Sequence, residues 1–462
     1  MKGVVRFFQI FCLLLLWASN CHADEFRGLW VDAFGPGFFN SNQVAKLVSD
    51  CRKYNFNAVI VEMRDRGDAF YMPHLPNEDI RRTAIATNYD ALADIINQCH
   101  NGSPRIEVHC WVVAQYIWAN KNRPWVKNHV FNTHPEFLTK DALGQTFIEK
   151  GYFLDPGNPD ACQWNYNMAV DIVSHYDIDG FHWDYIRYPN QNSGYNETAI
   201  KRYNAEFGLT GQPSYKDPQF SAWRRRQVTD FLRWVNADLL VINPKLLISA
   251  SVFANHPDAY GFRFQDWVEW NKEGIIDVCI PMDFSTNNNQ IFIPRAEFAL
   301  TNQWARKVYL GQGAYMQSKE DTLEQLQYIR NQGFNGYAFY SYRTPNRGQK
   351  DQVSTFGFLK EEFQTNWAST PVLPWKKEPS KAIIKGTVTQ GKGGEPVYNA
   401  DVLLQGVVTR SQKTEPHGHY AFFEVPPGEY DLIVKSGKLS SATNRVRVKA
   451  GEILNLDGAL EP

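Results

Sequence analysis

The stretch that decides the fold is Asp177-Ile178-Asp179-Gly180-Phe181-His182-Trp183-Asp184-Tyr185-Ile186-Arg187-Tyr188-Pro189, which has the pattern of a short buried strand ending in polar residues. Alternation along such a strand places Gly180, His182 and Asp184 on one face. The opposite face is wholly aromatic and consists of Phe181, Trp183 and Tyr185. This split is typical of a barrel strand whose outer face packs on helices. Asp184, at the strand end, is the leading catalytic candidate.

The same strand-then-helix pattern recurs along most of the chain. An amphipathic helical pattern follows each apolar run, and eight such units in about 340 residues predict a (β/α)8 TIM barrel. A doubly wound sheet is the alternative, although it does not ordinarily need eight units. One predicted helix covers residues 42–54 with Asn42 as its N-cap, and another starts at Asn158-Pro159. Besides the opening stretch, strands are predicted at residues 26–32, 58–63, 105–113, 246–250, 275–282, 307–310 and 336–340.

Residues 1–23 have the pattern of a signal peptide. Lys2 and Arg6 precede an apolar run from Phe7 to Trp17, which is too short to span a bilayer comfortably. We therefore expect an exported protein of the periplasm or cell surface, without a transmembrane segment. Lipid attachment at Cys21 is the alternative to soluble export.

A second domain is predicted at the carboxyl end. Residues 370–381 (TPVLPWKKEPSK) are proline-rich and charged, which indicates a linker. Residues 382–462 consist of alternating runs separated by Gly/Pro turns, which predict a small all-β sandwich. The predicted catalytic barrel thus covers residues 24–369.

Composition excludes several classes of function. The formal net charge is −1 and no long Lys/Arg block is present, which argues against a nucleic-acid partner. The cysteines beyond residue 23 are scattered and odd in number, so we expect their side chains to be small, buried and apolar in character. No Cys/His cluster has metal-ligand spacing, and no glycine-rich phosphate loop follows a strand, so we predict neither metal nor cofactor. The aromatic content of 14% suits either stacking platforms for sugars or a large core.

Catalytic groups of a (β/α)8 barrel sit at the carboxyl ends of its strands, so we ask which polar side chains face inward there. In the second strand Val59, Val61 and Met63 are taken to pack outward, which leaves Glu62 and Arg64 inward. In the sixth, Val278, Ile280 and Met282 are taken to pack outward, which leaves Asp283 inward at the mouth. The remaining inward or rim candidates are Glu107, His109, Trp111, His182, Arg187, Tyr188, Tyr340 and Arg343.

Several carboxylates in one lumen suit glycoside hydrolysis. One protonates the leaving oxygen, and the other attacks carbon or activates water. The first hypothesis therefore makes Asp184 the nucleophile or general base, with Asp283 as the acid and Glu62 as a further catalytic candidate. The second hypothesis is a non-catalytic glycan-binding barrel. The third, metal-dependent hydrolysis, lacks recognisable ligand spacing.

These residues carry a resemblance to a known family. The chain resembles the glycosyl-hydrolase-like family 10 (also called DUF187), whose members are exported bacterial proteins with a TIM-barrel domain. The resemblance covers roughly residues 25–366. It rests on residues 27–32 (RGLWVD), 57–64 (NAVIVEMR), 67–71 (GDAFY), 107–111 (EVHCW), 154–157 (LDPG), 179–189 (DGFHWDYIRYP) and 281–284 (PMDF).

The resemblance implies a hydrolase of amino-sugar-containing glycans, such as peptidoglycan strands of the cell envelope. Asp68, in the third of these segments, joins Arg64, Glu107, His109 and the rim residues as an expected substrate-binding residue. The chitinase-type DxxDxDxE pattern is not matched, because Ile186 stands at the position of its acid. The tail from Ala382 resembles carboxypeptidase-regulatory-like sandwiches, which are usually accessory modules.

Overall fold

The computed structural model describes residues 24–75, 80–81, 85–286, 288–347, 356–441 and 443–461. The predicted signal peptide, with Cys21, lies outside these ranges. Within the described ranges, no helix combines the length and apolar character needed to cross a membrane.

Eight parallel strands form a closed barrel, which confirms the predicted fold class. Each strand pairs with the next one in chain order. The first strand also pairs with the last, which closes the ring. The seventh strand is preceded by a short piece, Lys307–Val308, that pairs with the sixth. The strands are β1 (Phe26–Val31), β2 (Ala58–Asp65), β3 (Glu107–Val113), β4 (Gly180–Asp184), β5 (Leu247–Phe253), β6 (Val278–Asp283), β7 (Leu310–Gln312) and β8 (Gly336–Tyr340).

Helices surround the barrel and cover its outer face. The helix Pro159–His175 begins where the sequence predicts, with Asn158 as N-cap and Pro159 at the first helical position. The N-cap predicted for the helix Ser41–Tyr54 is wrong, because Asn40 rather than Asn42 accepts the N–H of Gln43. The main helices are α1 (Ser41–Tyr54), α2 (Ala91–His100), α3 (Pro159–His175), α4 (Glu197–Phe207), α5 (Pro218–Ile242), α6 (Trp267–Glu273), α7 (Ile293–Thr301), α8 (Lys319–Asn331) and α9 (Gly357–Glu362).

Apolar side chains fill both sides of the barrel wall. The outer core includes Phe181 and Trp183 of β4, and the Trp183 indole donates to Asn236 of α5 at 3.0 Å. The inner core fills the lumen and includes Phe26, Trp30 and Ile60. The cysteines at positions 51, 99, 110, 162 and 279 are free and buried, which confirms their predicted character.

A β-sandwich follows the barrel, as the alternating tail predicts. Its two sheets are built around the strand pairs Ala382–Gln390 with His419–Val425 and Asp401–Gly406 with Gly428–Ser436. The remaining strands are Thr409–Lys413, Leu439–Ser440, Asn444–Val448, Ile453–Asn455 and Gly458–Leu460.

The sandwich packs firmly on the barrel. Trp234 of α5 stacks on His419 with 4.8 Å between ring centroids, and Phe423 joins the outer core of the barrel. Ion pairs tie Lys385 to Asp238 and Arg306 to Glu424, each at 2.6 Å between nitrogen and oxygen. This module is therefore a packed layer on the helices around α5.

The segment predicted as a linker closes the amino end of the barrel. The Trp375 indole donates to Oδ1 of Asp277 at 2.6 Å, and the Lys376 ammonium lies 2.9 Å from Oδ2. Leu373 joins the inner core, and the Thr370 hydroxyl donates to Glu107 at 2.5 Å. The segment is therefore the floor of the barrel as well as the connection to the sandwich.

Candidate active site

A cleft of about 660 Å³ opens at the carboxyl ends of the strands, where barrel enzymes place their chemistry. Its described lining comes entirely from barrel residues between positions 30 and 340. The acidic lining residues are Glu62, Asp65, Asp184 and Asp258, and the basic ones are Arg66, Arg187 and Arg295. The aromatic lining residues are Trp30, Phe34, Trp111, Tyr116, Tyr185, Phe253, Phe284, Tyr315 and Tyr340.

Asp184 lies at the end of β4 and faces this cleft, as alternation predicts. Its carboxylate is 5% exposed and accepts two hydrogen bonds: from the Trp111 indole at 3.1 Å and from the main-chain N–H of Tyr185 at 2.7 Å. Burial raises the pKa of Asp184, while Arg187 and the two donors lower it and Asp65 raises it further. Arg187 and the two donors therefore support the charged form of Asp184 against the effect of burial.

Glu62 and Asp65 come from β2 and share the cleft with Asp184. The main-chain N–H of Ala33 donates to Oε2 of Glu62 at 2.7 Å. Burial, followed by the charge of Asp65 and those of Asp32 and Asp184, raises the pKa of Glu62 well above its usual range. This environment therefore favours the protonated form of Glu62.

Sequence reasoning missed Asp65 because β2 contains a bulge. The register pairs Glu62 with Trp111 but Arg64 with Val112, so β2 has one extra residue there. Strict alternation fails beyond that point, and Asp65 turns toward the cleft.

The inward orientation predicted for Arg64 is wrong for the same reason. Its guanidinium donates to the carbonyl of Val113 at 2.8 Å and stacks over Trp164 of α3, 4.2 Å from the ring centroid. Arg64 is fully buried away from the cleft, so the structure does not bring it to the substrate.

The inward orientation predicted for Asp283 is also wrong. Val278 and Ile280 belong to the inner core and Met282 lines the cleft, so β6 has the opposite phase to that predicted. Asp283 instead faces α7, with Arg295 Nη1 3.5 Å from Oδ1. Burial raises the pKa of Asp283 to about 7. The residue favoured as the acid lies behind the cleft wall.

His182 and His109 lie in the lumen beneath the cleft. His182 is held between the hydroxyls of Ser249 and Ser251, each 2.8 Å from a ring nitrogen. Burial and nearby His109 lower the pKa of His182 to about 3, so its ring is neutral. His109 packs over Gly180, where a Cβ would come 2.1 Å from its Nδ1, which explains the glycine. Neither ring lines the cleft.

The other predicted residues divide between the cleft and its surroundings. Trp111, Arg187 and Tyr340 line the cleft, and Arg187 stacks on Tyr185 with 4.2 Å from guanidinium to ring centroid. The structure places four predicted substrate-binding residues elsewhere. Tyr188 is buried against Phe264, Glu107 lies at the barrel floor, and Arg343 forms an ion pair with Asp32. Asp68 lies opposite Asp65 in the β2 hairpin, which β2 forms with the short antiparallel strand Asp68–Ala69.

Tyr185 faces the cleft, although alternation predicts it to face outward. Its φ is 51°, so the chain leaves the extended conformation directly after Asp184. The ring consequently stacks on Tyr116 with 5.0 Å between centroids and forms part of the cleft wall.

The aromatic wall continues around the rim. Tyr340 stacks on Phe284 with 5.6 Å between centroids and meets Trp30 edge-on at 5.9 Å. Sugar rings present C–H faces that pack on such surfaces, while the carboxylates and arginines supply hydrogen-bond partners for hydroxyl and amide groups.

Known proteins share this architecture. Residues 25–318 match the model of the Glycosyl hydrolase-like 10 family, and residues 383–461 match the carboxypeptidase regulatory-like domain. The chain is 24% identical to glycosyl hydrolase YngK of Bacillus subtilis (strain 168), over 91% of this chain and 88% of that protein. It is 21% identical to glycosyl hydrolase DigH of Escherichia coli (strain K12), over 68% and 70%.

Solved structures agree in fold. The glycoside hydrolase domain of PgaB (BpsB) from Bordetella bronchiseptica superposes with a TM-score of 0.52 at 13% identity, covering 69% of this chain and 94% of that one. Alpha-L-fucosidase isoenzyme 2 from Paenibacillus thiaminolyticus gives 0.55 at 13% identity, over 79% and 52%. The family match spans more than half of the sequence, and the matched residues fold into a glycosidase-type barrel. The chain belongs to the Glycosyl hydrolase-like 10 family.

Proposed function

We propose that this protein is an exported, endo-acting glycoside hydrolase that cleaves an amino-sugar-containing glycan, with peptidoglycan strands as the favoured substrate. The observation that carries the proposal is the convergence of Glu62, Asp65 and Asp184 inside an aromatic-walled cleft at the carboxyl ends of β2 and β4. A glycosidase needs one protonated and one ionised carboxyl group, and the cleft provides a different environment for each.

Glu62 is the proposed general acid. Burial and three neighbouring carboxylates raise its pKa and so favour the protonated form that an acid needs. It gives that proton to the glycosidic oxygen as the bond to the anomeric carbon breaks. Glu62 replaces Asp283 in this role, since Asp283 faces α7.

Asp184 is the proposed nucleophile or general base. The Trp111 indole and the Tyr185 N–H hold its carboxylate, and Arg187 adds positive charge nearby. Asp184 either bonds to the anomeric carbon, giving retention, or takes a proton from the attacking water, giving inversion.

The remaining cleft residues would bind the sugar chain. Trp111, Tyr185 and Tyr340 offer faces on which sugar rings stack. Arg66, Arg187 and Arg295 supply positive charge, which suits the lactyl carboxylate that N-acetylmuramic acid carries in strands without stem peptides.

Export rests on the amino-terminal sequence. Lys2 and Arg6 followed by the apolar run to Trp17 have the pattern that directs a chain across the cytoplasmic membrane. Peptidoglycan lies on the outer side of that membrane. Detection of the protein in the periplasmic or surface fraction, with a mature amino terminus near Asp24, tests this part of the proposal.

Product analysis tests the activity. The purified protein is incubated with peptide-free peptidoglycan strands and with chitin-like oligomers, and the products are identified by mass spectrometry. We expect shortened strands with new reducing ends from the wild type and none from Asp184→Asn. Tight binding of strands without cleavage by the wild type would instead establish the glycan-binding alternative, which the aromatic cleft also suits.

A further inference from the structure

Two histidines and an aspartate converge at a place that the glycosidase proposal does not use. Asp171 and His175 lie four residues apart in the last two turns of α3, so they share one face of the helix. His74 comes from the segment that follows the β2 hairpin. The three side chains offer ligand atoms that all lie within 4.8 Å of one another. None of them lines the cleft.

Asp171 is held so that one carboxylate oxygen remains available. Its Oδ2 accepts the main-chain N–H of His74 at 3.0 Å. Its Oδ1 is buried and, within the described ranges, receives no hydrogen bond of acceptable geometry. The residue is 3% exposed, and an unsatisfied oxygen in such a place is costly unless a cation or donor reaches it.

The two imidazoles approach this same oxygen. Nδ1 of His175 lies 3.0 Å from Oδ1 of Asp171, and Nδ1 of His74 lies 3.6 Å from it. Ligand atoms bound to tetrahedral zinc at about 2.0–2.1 Å are roughly 3.3 Å apart, so these two separations bracket the required value. Imidazole and carboxylate together suit zinc and similar divalent transition ions.

The segment that carries His74 is fixed to the end of α3. The Tyr176 hydroxyl accepts the main-chain N–H of Met72 at 2.9 Å, and the rings of Tyr176 and His74 meet edge-on at 5.7 Å between centroids. Nδ1 of His175 also lies 2.8 Å from the main-chain oxygen of Asp171, so an ion bound through Nδ1 replaces this contact.

The histidine rings stack in parallel, 3.8 Å apart. An ion in the plane of both rings therefore requires each ring to turn out of the stack. Both side chains are about 40% exposed, at 39% and 41%, so solvent leaves room for that turn.

We propose that His74, Asp171 and His175 bind one zinc ion or a similar divalent transition ion. The ion ties the segment around residues 72–74 to the carboxyl end of α3, and water completes its coordination. Short-range sequence patterns do not show this site, because 97 positions separate His74 from Asp171.

Isothermal titration calorimetry with zinc chloride tests the proposal. The full-length mature chain is used after removal of any polyhistidine tag and chelator. The variants are His74→Ala, His175→Ala and Asp171→Asn, and far-ultraviolet circular dichroism checks that each is folded. His134→Ala is the matched control, since His134 is an exposed histidine paired with Glu136 and lies in another loop.

We expect the wild type and His134→Ala to bind one zinc ion with equal affinity, in the presence of millimolar magnesium. Each ligand variant should bind at least about tenfold more weakly. Failure of the wild type to bind zinc stoichiometrically, or undiminished binding by His74→Ala and His175→Ala, overturns the proposal. Binding is measured without glycan, so the result is independent of the hydrolase proposal.

Discussion

The indole nitrogen of Trp111 lies 3.1 Å from Oδ2 of Asp184 and links neighbouring strands β3 and β4 at the floor of the cleft. The bond favours the charged carboxylate, because an indole N–H can only donate. It thereby opposes the burial that raises the pKa of Asp184. The protonation state of the proposed nucleophile or base therefore depends on a residue that also forms the cleft wall.

Trp111→Phe should move the acidic limb of the pH profile of kcat/KM upward by about one pH unit or more. The substitution keeps an aromatic face but removes a hydrogen bond to a charged group, so the pKa of Asp184 rises further. Trp30→Phe is the control, since the Trp30 indole faces His182 rather than a carboxylate. An acidic limb that does not move in Trp111→Phe excludes this bond as a determinant of the pKa.

Asp184→Asn should lower kcat at least about a thousandfold, because the amide can neither attack carbon nor accept a proton from water. Its melting temperature should stay near that of the wild type, since the change removes a buried charge close to Glu62 and Asp65. Asp258→Asn, which also lines the cleft, should retain most activity. Turnover by Asp184→Asn comparable to that of the wild type removes Asp184 from the mechanism.

Glu62→Gln should lose most activity on substrates whose leaving group must be protonated, and little on substrates whose leaving group departs without a proton. Hydrolysis of natural glycan strands should fall at least about a hundredfold, while an aryl glycoside with an acidic phenol should be cleaved at a rate much closer to wild type. The alkaline limb of kcat should also vanish, because activity of the wild type is lost as pH rises through the raised pKa of Glu62. Equal losses on both substrates would contradict the role as acid.

Asp283→Asn should leave kcat within about twofold of the wild type, because Asp283 points to α7 and not to the cleft. Steady-state rates on the same glycan measure this effect. A loss like that of Asp184→Asn would restore Asp283 to the catalytic set.

The same variant should change how stability depends on pH. The pKa of Asp283 is about 7 in the folded chain and near 4 when unfolded, so the folded state favours the protonated form. Its contribution is complete below about pH 4 and is lost as pH rises through 7, at a cost of up to about 4 kcal/mol. Urea unfolding should therefore find Asp283→Asn close to the wild type at pH 4 but more stable at pH 8.

The barrel could be predicted from the sequence because its signal is repeated. Each strand–helix unit gives only a weak pattern, but eight in succession leave few architectures. The position of Asp184 followed from β4, whose two faces differ sharply in chemistry, with Gly180 and His182 on one side and Phe181 and Trp183 on the other.

Glu62, Trp111 and Tyr340 were also predicted and line the cleft, but other parts of the site could not be predicted, for local reasons. Both faces of β6 are apolar, with Cys279 among the outer core residues and Ile280 among the inner ones, so hydrophobicity does not fix its phase. In β2 one extra residue changes the orientation of Arg64 and Asp65, and bulges leave no clear mark in a single sequence. The φ of 51° at Tyr185 likewise has no signal in the sequence, because residues other than glycine rarely adopt it.

The floor of the barrel depends on the segment that leads to the sandwich. Asp277 has three partners, the main-chain N–H of Ile248, the Trp375 indole and the Lys376 ammonium, and two of them come from a segment that emerges almost 100 residues later. Without that segment, a buried carboxylate at the foot of β6 would lack most of its compensation. A chain cut before Trp375 would therefore lose stability in the barrel itself, although the cut lies outside the eight strand–helix units.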